Sequence, residues 1–119
     1  MRNNPVDLFV RIIKTVSEGA LQPGTSTTIG ELFVDPEIFG PLEFELCLYS
    51  LEATLRREID DSFYEGDIGN IAHFTLADFA GRYLRPKVSD DPLFITRQFM
   101  KFAKSARMEH EEMAEPGGN

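Results

Sequence analysis

Apolar residues recur along this chain at spacings of three and four, which places them on one face of an α-helix. Stretches with this pattern predict helices over residues 5–20, 41–59, 76–84 and 92–108. Thr75 precedes the third of them and, together with Asp78, forms a pattern like a capping box. The expected fold class is therefore all-α, a small antiparallel helix bundle.

The segments between these helices are expected to be loops. Residues 29–39 combine apolar side chains with Gly30 and Pro36, which predicts an ordered loop, with or without a helical turn, whose aromatic rings pack into the core. No segment alternates between apolar and polar residues for long enough to predict a strand. The expected organisation is a bundle over residues 1–88, an additional amphipathic C-terminal helix packed on it over residues 89–108, and a disordered acidic tail over residues 109–119.

Composition and charge narrow the possible functions. The 119 residues, 42% hydrophobic and 27% charged, suit one globular domain. The whole net charge of −8 arises in residues 35–67, because acids and bases balance in the remainder. Such a segment repels nucleic-acid phosphates and attracts basic protein surfaces, so no nucleic-acid partner is expected. No apolar run is long enough to span a membrane, and the single cysteine excludes an internal disulfide. A reducing cytoplasm is the expected compartment.

The chain shows no pattern typical of an enzyme active site. It has no glycine-rich phosphate loop, no nucleophile-elbow motif and no zinc-protease motif. Cys47 lies on the apolar stripe of the second predicted helix, which indicates a buried, inert thiol. His73 and His110 are too far apart in the sequence to suggest a metal site. We therefore expect no catalytic residue, no metal ligand and no enzyme activity.

From Gly40 to Glu52 the chain reads Gly-Pro-Leu-Glu-Phe-Glu-Leu-Cys-Leu-Tyr-Ser-Leu-Glu. This stretch resembles helix two of the acyl carrier proteins, the phosphopantetheine-binding family that reads Asp-Ser-Leu-Asp and, further along the helix, Leu-Glu. Pro41 stands at the position of the family's serine. The resemblance covers roughly residues 5–84 and implies the family's four-helix fold; the additional C-terminal helix lies outside it.

The resemblance also implies what the chain has lost. Members of this family carry a 4′-phosphopantetheine arm on the serine at the exposed start of helix two. Pro41 has no hydroxyl and Gly40 replaces the acidic residue before it, so no arm can be attached there and no cofactor is expected. An alternative is a functional acyl or peptidyl carrier that uses Ser50, followed here by Leu51 and Glu52. That alternative divides the apolar stripe of the helix in two.

The same family binds partners through acidic residues of helix two. Glu43 and Glu52 stand at matching positions here, and Glu45 is an additional acid. The resemblance therefore implies an interaction module whose acidic face, Glu43, Glu45 and Glu52, binds basic protein surfaces, such as those of enzymes of fatty-acid or polyketide metabolism. Two other interpretations stay open: these acids are only a solvated helix face, or the chain is a helical adaptor unrelated to carriers.

The C-terminal helix has an apolar side and a basic side that includes Arg97, Lys101 and Lys104. Its basic side either folds back on the acidic centre of the chain or binds a partner or an anionic membrane surface. We favour packing on the bundle, because exposing several phenylalanine side chains is costly.

Overall fold

A computed structural model describes residues 4–60, 62 and 68–114, with the side chains of 68, 69 and 105–114 left out of the description. Within these residues the chain is mostly helical, with a small antiparallel sheet. The elements in chain order are α1 (Pro5–Val16), α2 (Ile29–Leu32), α3 (Pro41–Leu55), β1 (Arg57–Ile59), a 3₁₀ helix (Ile68–Ile71), α4 (Leu76–Tyr83), β2 (Leu84–Val88) and α5 (Phe94–Ala114).

Polar side chains fix the starts of the shorter helices. The Asn4 side chain accepts a hydrogen bond from the backbone of Val6 at 2.9 Å, which caps α1. Thr28 with Glu31 begins α2, and Thr75 with Asp78 begins α4, each pair forming both bonds of a capping box. These bonds satisfy backbone N–H groups that have no partner inside a helix. The predicted capping box at Thr75 is therefore confirmed.

The two capping threonines also hold α2 against the start of α4. Thr28 and Thr75 form an isolated antiparallel bridge, and the N–H of Ile29 donates to the carbonyl of Phe74 at 2.8 Å. Next to them the Gly30 N–H donates to the Ala72 carbonyl at 2.9 Å. A Cβ atom at Gly30 would lie 3.1 Å from that carbonyl oxygen, so the close approach depends on glycine.

A cluster of phenylalanine rings forms the centre of the core. Phe9 of α1, Phe44 of α3 and Phe79 of α4 contact one another with ring centroids 5.9–6.4 Å apart. Phe33, from the segment after α2, meets Phe44 edge-on at 5.6 Å, and Phe39 adds a further ring. Burial of these large rings is a main source of stability for a domain of this size. The expectation that aromatic rings of the segment 29–39 pack into the core is correct.

The small sheet is a correction to the all-α expectation. We expected the second long helix to continue to Ile59, but α3 ends at Leu55 because Arg56 adopts a left-handed conformation with φ of 52°. The chain then enters β1, which pairs antiparallel with β2 and brings Ile59 opposite Leu84. Strands this short are below the length at which alternation is recognisable in a sequence.

The last helix packs along α3. In the turn before it the Asp91 side chain accepts a hydrogen bond from the backbone N–H of Leu93 at 2.9 Å. The Tyr49 ring of α3 contacts the rings of Phe99 and Phe102, with centroids 6.3 and 6.0 Å away. The helix continues to Ala114, whereas we expected it to end at Met108 and a disordered tail to follow; residues 115–119 lie outside the described part of the chain.

Candidate interaction face on helix α3

The first turn of α3 is exposed and carries no hydroxyl group. Gly40 is the N-cap residue and Pro41 occupies the first helical position, where its lack of an N–H costs nothing. The Glu43 carboxylate accepts a hydrogen bond from the Gly40 N–H at 2.9 Å, which fixes the entry into the helix. A Cβ atom at Gly40 would lie 3.1 Å from the carbonyl oxygen of Pro36, so this turn is built for glycine.

Ser50 lies in the middle of α3, away from the helix start, and its side chain is half-buried. Its neighbour Leu51 is fully buried in the core, in agreement with the apolar stripe expected for this helix. A hydroxyl here lacks the free N–H groups that a helix N-terminus offers to a phosphate.

The three acids predicted to bind a partner are all at least partly buried. Glu45 and Glu52 are buried, with 6% and 3% of their surfaces exposed, and Glu43 is half-buried and occupied by its bond to Gly40. The three acids therefore do not form one exposed acidic surface in this structure. The physical reason is that α5 covers the part of α3 that carries Glu52.

Glu52 is held in place by two donors. One carboxylate oxygen, Oε2, accepts from the backbone N–H of Ile59 in β1 at 2.9 Å and from Nζ of Lys101 in α5 at 2.9 Å. The Glu52 side chain is 4% exposed and that of Lys101 is 35% exposed. The attraction between these charges is less screened than on the surface, but burial also costs the Glu52 carboxylate its hydration. Glu52 thus joins α3, β1 and α5 at one point.

Arg56 ties the segment before α5 to the end of α3. Its guanidinium donates to the backbone carbonyls of Ser89, at 3.3 Å, and Asp91, at 2.6 Å. The same guanidinium lies over the ring of Phe94, 5.5 Å from its centroid. These contacts place the first turn of α5 beside Arg56, and the left-handed conformation of Arg56 aims its side chain at this segment.

The residues that form the contact between α3 and α5 were only partly predictable from the sequence. The basic side of the last helix, which includes Lys101, suggested contact with the acidic centre, but nothing identified Tyr49 or Gln98 as residues involved. Gln98 is 5% exposed, and within the described residues its Nε2 has no hydrogen-bond partner. A sequence signal existed for Lys101 alone, because it lies one position before Phe102 at the border of the apolar stripe.

Exposed apolar side chains lie at the opposite end of α3. Leu42 and Leu46 follow each other by one helical turn and are 45% and 36% exposed. In the preceding segment Val34 and Ile38 are also exposed. The start of α3 therefore offers an apolar surface to solvent, unlike the covered face that carries Glu52.

The rest of the described chain offers little other chemistry. Cys47 is fully buried, as expected, and burial together with the nearby Glu43 charge raises the pKa of its thiol to about 12. Among the side chains that the structure describes, no group of three or more metal-ligating residues comes together. No helix in the described part of the chain is long and apolar enough to cross a membrane.

In comparisons with known proteins, no protein-family description, no curated protein and no solved structure matches the chain.

Proposed function

We propose that this chain is an acyl-carrier-like protein that has lost its phosphopantetheine site and acts, without enzyme activity, as a protein-interaction module. The observation that carries the proposal is the residue at the start of α3. The exposed first position of that helix is Pro41, where a carrier protein needs a serine hydroxyl.

The arrangement of the helices supports the carrier resemblance. The long helix α3 begins at Gly40–Pro41, and α4 begins after Thr75, at the positions that the resemblance implies. Phe9, Phe44 and Phe79 join α1, α3 and α4 into one core. Fold likeness alone does not carry function when the functional residue is missing, so the interaction role rests on the surfaces of α3.

Two surfaces of α3 are suited to binding a protein. One is the exposed apolar start of the helix with Leu42 and Leu46, and the other is the acidic face that α5 covers. The partner class implied by the carrier resemblance is a basic protein surface, as on enzymes of fatty-acid or polyketide metabolism. Glu52 pairs with Lys101 in the folded chain, which supports a cationic partner for this face.

Modification with coenzyme A tests the loss of the site. The chain is incubated with coenzyme A and a phosphopantetheinyl transferase of broad specificity, and its intact mass is measured. We expect no increase in mass, since Pro41 has no side-chain hydroxyl and Ser50 is half-buried in the middle of α3. An arm found on any serine of the unaltered chain would show that the proposal is wrong.

The variant Pro41→Ser provides the matched positive control. It restores a hydroxyl at the exposed first turn, where the helix dipole favours a new phosphate, without adding a Cβ at Gly40. We expect this variant to gain the arm, and the additional change Ser50→Ala to leave that gain unaltered. A Pro41→Ser variant that folds and stays unmodified would count against the carrier resemblance.

A further inference from the structure

The contact between α5 and α3 leaves much of the apolar surface of α5 unused. Phe94 and Gln98 lie in the contact, with 6% and 5% of their surfaces exposed. Elsewhere on the helix Ile95 and Met100 remain 43% and 64% exposed, and Phe99, whose ring edge contacts Tyr49, remains 56% exposed. A helix docked for stability alone would bury its apolar residues first. The buried side of α5 instead includes an amide and, at its edge, the ammonium group of Lys101.

This contact is also incompletely satisfied. The Nε2 atom of Gln98 is buried and has no partner in the described part of the chain, and a buried donor without an acceptor lowers stability. By contrast, Lys101 has good partners in Glu52 and the carbonyl of Ile59. The face of α3 thus provides partners for the ammonium group of Lys101. It provides none, among the described residues, for the Nε2 atom of Gln98 one turn earlier in α5.

The main hydrophobic cluster is formed by elements that precede α5. It runs from Phe9 in α1 to Leu84 in β2 and, among the side chains that the structure describes, includes none of α5; Phe94 is buried but lies outside it. Arg56 holds the backbone at Ser89 and Asp91, so the segment before α5 has an anchor of its own. The ring contacts that join α1, α3 and α4 are therefore made without any residue of α5.

We propose that the face of α3 formed by Glu45, Tyr49 and Glu52 is an exchangeable binding surface for an amphipathic helix with an aromatic residue beside a lysine or arginine, and that α5 is the resident occupant which such a partner helix displaces. The inference rests on the proposed interaction role and is independent of the missing carrier serine. The pair Lys101–Phe102 is the pattern that identifies a fitting partner, because Lys101 reaches Glu52 and Phe102 stacks on Tyr49.

A labelled peptide tests the exchange on the full chain. The probe is a synthetic fluorescein-labelled peptide with the sequence of residues 92–108, and fluorescence anisotropy reports its binding. The unaltered chain binds it weakly, since the tethered α5 competes at high effective concentration. Lys101→Glu places a like charge beside Glu52 and frees the face, so its affinity for the peptide rises about tenfold or more.

Lys104→Glu is the matched control, because Lys104 lies on the same helix and is exposed. It reverses the same charge and leaves peptide affinity at the level of the unaltered chain. Phe102→Ala is the second loosening variant and raises affinity in the same direction as Lys101→Glu; it is used if circular dichroism shows that Lys101→Glu does not fold. Equal peptide affinity in the unaltered chain and in both loosened variants would overturn the proposal.

Native-state hydrogen exchange examines the same opening without any substitution. We expect the backbone amides of α5 to exchange through an opening that leaves those of α1 and α3 protected. Exchange of all three helices in a single global event would overturn the proposal. These results do not depend on whether a serine accepts the arm. A negative result for helix exchange therefore does not contradict the loss of the carrier site, and a modified serine does not contradict helix exchange.

Discussion

Lys101 and Ile59 share a single acceptor, because both donate to Oε2 of Glu52, each at a distance of 2.9 Å. Ile59 supplies the backbone N–H from β1 and Lys101 supplies its ammonium group from α5. The shared oxygen connects the sheet, the long helix α3 and the last helix. A carboxylate that is 4% exposed is costly to bury, and these two donors compensate for its lost hydration.

Removal of Lys101 should destabilise the chain while its fold is kept. In Lys101→Met the carboxylate of Glu52 retains the bond from Ile59 but loses its counterion. We expect the free energy of unfolding to fall by about 1–3 kcal/mol, below the loss for a fully buried pair because Lys101 is partly exposed. Chemical denaturation followed by circular dichroism measures the change.

Lys104→Met is the control for that experiment, since it removes the same charge from an exposed position on the same helix. Its effect should stay within about 0.5 kcal/mol, as is usual for surface substitutions. If both methionine variants lose the same stability, the effect of Lys101 is one of net charge or helix propensity, and the ion pair with Glu52 contributes nothing specific.

The centre of the core should be far more sensitive than the exposed side of α5. Phe44 is fully buried and its ring contacts those of Phe9, Phe33 and Phe79. We expect Phe44→Ala to lower the free energy of unfolding by about 3–5 kcal/mol, through lost burial and the cavity left behind. Phe99→Ala, at a ring that is 56% exposed, should cost much less. Equal losses in thermal or chemical unfolding would contradict the placement of the core.

Local signals predicted the starts of helices well and their ends less well. The capping pair at Thr75 and Asp78 identified the start of α4, because such a pair acts through bonds between close neighbours in sequence. The end of α3 was missed because Arg56 turns left-handed to begin a strand, and no glycine or proline marks that position. The pairing of β1 with β2 joins Arg57 to Val88, a long-range contact that no local pattern announces.

The burial of the acids was missed for a related reason. A helical wheel of α3 alone places Glu45 and Glu52 off the apolar stripe, which favours exposure. The environment of Glu52 depends on a second helix that begins at Phe94, far along the chain. Lys101 and Glu52 carry opposite charges, so the attraction was present in the sequence, but the register that matches them is set by the anchoring of the preceding segment through Arg56.

The thiol of Cys47 should be unreactive in the folded chain and should couple stability to alkaline pH. Burial raises its pKa to about 12 from an ordinary value of 9.0, so the unfolded chain loses this proton at lower pH than the folded one. The thiol's contribution to stability is complete below about pH 9 and is lost as pH rises toward 12. The free energy of unfolding of the unaltered chain should fall more steeply over that window than that of Cys47→Ala.

A thiol-specific reagent gives a second measurement on the same residue. At mildly alkaline pH, labelling of Cys47 should be slow in buffer and fast in denaturant, because only the unfolded thiol reaches both solvent and its reactive thiolate form. Rapid labelling of the folded chain would show that the face of α3 carrying Cys47 opens far more readily than its burial indicates.

Two glycines should respond to alanine in opposite directions. A Cβ at Gly30 would lie 3.1 Å from the carbonyl oxygen of Ala72 and 3.2 Å from its Cβ, where α2 is held against the segment before α4. At Gly81, inside α4, a Cβ would meet no atom of the described residues within 4 Å. We expect Gly30→Ala to lower the free energy of unfolding by about 1–3 kcal/mol, because backbone must shift. Gly81→Ala should raise it by about 0.5–1 kcal/mol, because alanine is the better helix former.

Thermal unfolding of these two variants measures the contrast, with each serving as the control for the other. The substitution is the same, so the difference between the variants isolates the close approach at Gly30 from the general effect of adding a methyl group. If Gly30→Ala is as stable as the unaltered chain, the hydrogen bond from Gly30 to Ala72 does not hold α2 as closely as its 2.9 Å length indicates. If instead Gly81→Ala is destabilised, α4 packs against a neighbour at that position.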